Sequence, residues 1–141
     1  MMISTRGRYA LRVFIDLADQ YSTFKNVRLK DISERQKISL KYLENIMSLF
    51  VKHKLVEGTQ GKGGGYKLTR KPEEYTAGEI LRLTELSLAP VSCLDCEGPE
   101  CPQKEICRTL PMWRNLEKII TNYLDSITIA DLQNSEEGMW I

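Results

Sequence analysis

The chain has 141 residues, 42% of them hydrophobic and 28% charged, which suits one domain with an extension. No apolar run approaches the roughly 20 residues of a membrane-spanning helix, and the opening MMISTRGRYALRVF lacks the apolar core and cleavage site of a secretory signal. These features lead to the expectation of a cytoplasmic protein with no membrane partner. The net charge of +1 hides two opposite halves: residues 1–71 carry 15 Lys/Arg against 6 Asp/Glu, and residues 72–141 carry 5 against 13. The first half suits a polyanion and the second should avoid one.

In chain order, TRGRYALRVFIDLADQY (5–21) predicts a helix with Thr5 as N-cap and Ala10, Phe14, Leu17, Ala18 and Tyr21 on one apolar face. RLKDISERQ (28–36) predicts a short helix with Leu29 and Ile32 inward. A turn at KIS leads to SLKYLENIMSLFVKHK, a helix over about 39–54 that Ser39 can cap. Leu40, Leu43, Met47 and Phe50 are its expected buried stripe, and Lys41, Tyr42, Glu44, Asn45 and Ser48 its other faces. Two short helices joined by a tight turn fit a helix-turn-helix. LVEG and YKLT then read as strands around TQGKGGG, whose four glycines predict a sharply bent tip carrying Lys62. The expected fold is therefore mainly α with a small β-hairpin wing: a winged helix-turn-helix over residues 1–72.

TAGEILRLTELSL (76–88) predicts a connecting helix, within 73–89, with Thr76 and Glu79 as a capping box. A cysteine loop occupies 90–110. Pro111 opens a long helix in which Trp113, Leu116, Ile120, Tyr123 and Ile127 form a stripe widened by Met112, Ile119 and Leu124. A helix this apolar on so small a domain is expected to pack on a copy of itself, making a homodimer. The dimerisation helix and a short following helix fill 111–132, and 133–141 is a tail.

A recognition helix needs polar side chains near its start to reach base edges in the major groove of double-stranded DNA. Ser39, Lys41, Tyr42, Glu44 and Asn45 fit that need. Asn can pair with adenine and Glu can accept from cytosine, while Lys41 and Tyr42 suit phosphates equally. Gln60, Lys62, Gly63 and Gly64 form a wing that would enter or flank the minor groove, and Arg6 and Arg8 could add backbone contacts. An enzyme is not expected. There is one histidine, and the C-x-x-C pair sits in no βαβ pattern.

The four cysteines, Cys93, Cys96, Cys101 and Cys107, are spaced C-x2-C-x4-C-x5-C. Thiolates at this density suit tetrahedral zinc or an iron–sulfur cluster. Spacing alone does not choose between them, nor does it exclude a thiol–disulfide switch. Asp95, Glu97, Glu100 and Glu105 surround the thiols in sequence; their charge would favour a neutralising metal, or they are no more than a solvated loop.

The segments STRGRYALRVFIDLA, SLKYLENIMSLF, VEGTQGKGGGYKLTR and TAGEILRLTE closely resemble the Rrf-type winged-helix regulators, and the resemblance spans about residues 1–132. It implies a homodimeric transcription factor with the long helix as dimer interface, and it tips the cysteine chemistry toward a [2Fe–2S] or [4Fe–4S] cluster. Cluster-binding members carry three cysteines in this loop before a segment ending in Trp, which CRTLPMW resembles. Cys101 and Cys107 thus match the last two ligands, and either Cys93 or Cys96 matches the first. Some members take a fourth ligand from a His that would fall at Leu110 here, others from an Asp that would fall at Arg8. Neither residue can ligate; the simplest inference from the resemblance is that the extra cysteine completes a set of four, the competing reading being a spare cysteine that serves as a resolving thiol. The implied role is sensing iron–sulfur, redox or nitric oxide status, with structural zinc or a disulfide switch as the alternative. No small-molecule substrate is implied.

Overall fold

The computed structural model describes residues 2–95 and 101–136. The first helix, α1 (Thr5–Asp19), buries Ala10, Val13, Phe14, Leu17 and Ala18 on one stripe. Its N-cap is Ser4 rather than Thr5: the Ser4 hydroxyl accepts from the Gly7 N–H. Thr5 instead accepts from the Arg8 guanidinium at 3.0 Å.

Helix α2 (Leu29–Gln36) turns into α3 (Leu40–Lys52) through Lys37, whose backbone is left-handed with φ 57°. Ser33 tightens this turn by donating to the Ile38 carbonyl at 2.5 Å. Ser39 caps α3 as expected, accepting from the Tyr42 N–H at 3.2 Å. The buried stripe of α3 is Leu43, Ile46, Met47 and Phe50. Leu40 was expected there, but it is the first residue of the helix and is 45% exposed; Ile46, three residues after Leu43, takes the inward place.

The wing is an antiparallel pair, β1 (Val56–Thr59) and β2 (Gly65–Leu68), registered Val56 with Leu68 and Thr59 with Gly65. Val27 adds a one-residue bridge on the outer side of β2. It exchanges both backbone hydrogen bonds with Tyr66, at 2.7 and 2.8 Å. Gly65 permits this approach: its φ is +141°, and a Cβ there would lie 2.5 Å from the Val27 carbonyl oxygen.

Phe14 sits at the centre of the core, edge-on to Phe50 at 4.8 Å and tilted against Tyr75 at 5.4 Å. Tyr75 is fully buried, yet its hydroxyl donates to the Leu55 carbonyl and accepts from the Thr69 and Arg70 N–H groups. It thereby locks the wing roots onto the helices.

Helix α4 spans Ala77–Thr84 and ends four residues earlier than expected. Thr76 caps it through the Glu79 N–H, but Glu79 does not complete the box: its carboxylate takes the Arg70 guanidinium at 2.7 Å. The helix stops where Glu85 turns extended and binds Ser4 through both carboxylate oxygens, at 2.5 and 2.6 Å.

The long helix α5 (Leu110–Ser126) has Pro111 as its second residue. Arg82 of α4 holds its far end through Asp125 at 2.7 Å. Helix α6 (Ile129–Gln133) carries a full capping box of Thr128 and Asp131 and returns to α1, where Ile129 is fully buried in the core. The architecture is thus mainly helical with a two-stranded wing, as the periodicities imply. Among the described residues no helix is long and apolar enough to cross a membrane.

Candidate nucleic-acid interface and cysteine segment

The start of α1 and the outward face of α3 come together. Arg6, Tyr42, Asn45 and Ile46 line one shallow pocket. Tyr42 is held there by packing: its ring meets Tyr9 edge-on at 5.5 Å, and the Arg12 guanidinium lies over Tyr9 at 5.3 Å. Arg12 in turn hydrogen-bonds the Gln36 side chain and carbonyl at the end of α2. Gln36 and Arg35 both donate to Asp16, the one buried carboxylate among the described residues. A polar chain therefore ties α1 and α2 together, and Tyr9 passes that anchoring to the start of α3, fixing the angle at which the helix face is presented.

Lys41, Glu44 and Asn45 are exposed on that face. Ser39 spends an oxygen lone pair on the helix cap and keeps its hydroxyl hydrogen for an acceptor such as a phosphate. Gln60, Lys62 and Gly63 project at the wing tip, where no atom lies within 4 Å of where a Gly61 or Gly63 side chain would start. Gly64 is there for room, since a Cβ would run into the Thr59 carbonyl oxygen. Arg6, Arg8, Lys41 and Lys62 have no carboxylate partner within 4 Å among the described residues, whereas Arg28, Arg35, Lys67, Arg70 and Arg82 each have one. The four cations that sequence reasoning places on this surface are thus among those left without a carboxylate, and unpaired cations are what a polyanion needs.

Sequence reasoning missed Asn26, whose side-chain N–H donates to the Gly63 carbonyl at 3.1 Å. The contact joins residues 37 apart, and no local pattern announces it. It also missed Glu85, which joins the cysteine segment to the first turn of α1.

Cys93 lies in a 3-10 turn (Ser92–Leu94), and Cys93, Cys101 and Cys107 are half-exposed free thiols. Cys96, the fourth expected ligand, falls outside the described residues. Cys107 stands three residues before the first residue of α5. The Thr109 hydroxyl, 3.3 Å from its sulfur, holds the thiol below its ordinary range, helped by the Thr109 and Leu110 N–H groups against a small effect of burial. The donor set therefore fits a soft metal in its chemistry. Among the described residues, however, no three Cys, His, Asp or Glu side chains are gathered closely enough to hold one.

A helix-turn-helix with a Gly-rich basic wing defines a winged-helix DNA-binding protein. Residues 3–135 match the Rrf2 model, described as an iron-dependent transcriptional regulator. The chain belongs to the Rrf2 family of DNA-binding transcriptional regulators, and is not an enzyme. It is 37% identical to Protein rrf2 of Nitratidesulfovibrio vulgaris over 132 residues, 94% of this chain and 87% of that protein. It is 38% identical to the HTH-type transcriptional regulator IscR of Sodalis glossinidius over 137 residues, 97% of this chain and 81% of that protein. Its fold is similar to that of CymR, the global cysteine regulator of B. subtilis, with a TM-score of 0.79 at 33% identity, covering 97% and 99% of the two chains.

Proposed function

We propose that the protein is a cytoplasmic, homodimeric regulator whose grip on an operator responds to an iron–sulfur cluster held by Cys93, Cys96, Cys101 and Cys107. The observation that carries this reading is the join between the two regions: Glu85, the last residue before the cysteine segment, clasps the N-cap of α1, two residues from Arg6. A cluster would supply chemistry that oxidants, nitric oxide and iron shortage can undo. Segment 86–109 links α4 to α5, so gathering its thiols shortens the path between them and pulls on Glu85. Ser4 passes that pull to the first turn of α1, and so to Arg6 and the pocket it shares with α3.

The dimer half of the proposal rests on α5. Met112, Leu116, Ile119 and Tyr123 are 37–65% exposed in a single chain, an apolar face left open among the described residues. A second α5 is the surface that matches it.

The test is an absorption spectrum of anaerobically purified protein, with iron, sulfide and zinc assayed on the same sample. Visible absorption with matching iron and sulfide is expected. A colourless protein with stoichiometric zinc would make the cysteine segment a structural clip and overturn the sensing proposal.

A further inference from the structure

We infer that Asn26, which belongs to neither the recognition helix nor the wing, is the positioning residue that sets the wing tip for DNA. The inference rests on the wing's contact with DNA and concerns how the tip is held there. Residues 60–64 contain three glycines, two of them with positive φ and open space around them, so the tip has many conformations to lose on binding. Among the described residues only one side chain hydrogen-bonds it: Asn26, through the Gly63 carbonyl. Asn26 is itself fixed, because the next residue, Val27, exchanges both its backbone hydrogen bonds with Tyr66 of β2.

The other half of the Asn26 amide shows what the residue is for. Its Oδ1 is buried and has no hydrogen-bond partner among the described residues. A buried acceptor left unpaired destabilises a fold, so the residue is a poor choice for stability alone. Its position is explained by the donor that grips Gly63. An ordered tip presents Lys62 in one place and spares the complex the cost of ordering it.

The two effects separate in one experiment. The full-length chain is used with a DNA duplex recovered by binding from a random pool, and affinity is followed across salt concentrations alongside thermal unfolding. Asn26→Ala is expected to unfold at the same temperature or higher, because the orphaned oxygen leaves with the side chain. It is expected to bind DNA about fivefold more weakly, with a salt slope lower by about one per wing. Lys62→Ala should lower the slope alike, and the double variant should lose no further slope. Wild-type affinity and slope in Asn26→Ala, beside a weakened Lys62→Ala, would overturn the inference and leave the wing reading intact. So would a loss of affinity that merely follows a falling unfolding temperature. Lys62→Ala without effect would remove the wing reading and the inference with it. If Asn26→Ala does not fold, the near-isosteric Asn26→Asp replaces the donor with an acceptor facing the Gly63 carbonyl. Amide exchange at Gly61–Gly64 should then speed up, and unchanged exchange would overturn the inference.

Discussion

Between Ser4 and Thr84 the chain buries Phe14, Leu43, Met47, Phe50, Tyr75 and Ile80 almost completely, and α6 returns to add Ile129. Between Glu85 and Ser126 the only hydrophobic side chain buried among the described residues is Leu110, at 7% exposure, while Leu86, Ile106, Ile119 and Tyr123 stand open. The head is closed by its own residues, and its polar chain from Asp16 to Arg12 is satisfied from within. The second region has half-exposed thiols and, among the described residues, an exposed apolar helix face, which the proposed function completes with a cluster for one and a second copy for the other. A rigid reader joined to an incomplete segment is what a conditional regulator requires.

The comparison breaks first at Phe14. Phe14→Ala removes the ring that both Phe50 and Tyr75 pack against, and should cost about 3–5 kcal/mol in chemical denaturation. A cost below about 1 kcal/mol would mean that the head is not the self-sufficient half. Ile119→Asp should leave the head folded but place a charge on the proposed dimer face. By sedimentation, the dimer dissociation constant should rise on the order of a hundredfold, close to 3 kcal/mol. An unchanged dimer would free α5 for another role.

The smallest effect is electrostatic. The Arg82 guanidinium holds the Asp125 carboxyl below its ordinary value, against a smaller effect of burial. Because the folded pKa is depressed, the stabilisation is present above the unfolded pKa of about 3.9 and fades as pH falls through the lower folded value. Asp125 is 42% exposed, so solvent screening limits the pair to a few tenths of a kcal/mol. The Asp125→Asn variant and the parent chain should therefore differ slightly in urea stability at pH 7 and converge as the pH falls through the depressed value of Asp125.

What was legible in the sequence follows the range of the interaction. Stripes at helical spacing gave α1 and the Leu43, Met47 and Phe50 side of α3, and Ser39 and Thr76 announced their caps because capping is a contact three residues long. Errors arose where a distant partner decided. Ser4 outranks its equally suitable neighbour Thr5 as cap, in the position where it also binds Glu85 from 81 residues away. That same contact stops α4 at Thr84 although the apolar pattern runs on through Leu88. Glu79 leaves its capping box for Arg70, and Asn26 reaches across to Gly63. At the candidate site, residue types on the proposed DNA face were readable as polar positions, but the tethers behind them were not.

The central claim is that the cysteine segment governs the head. It is tested most directly by comparing the DNA affinity of anaerobically purified protein with that of its Cys93, Cys96, Cys101 and Cys107→Ala variant, on the same duplex at one salt concentration. The account predicts a difference of about tenfold or more between two folded, dimeric proteins. Equal affinities would contradict it, leaving a winged-helix regulator whose cysteines have no say in how it binds DNA.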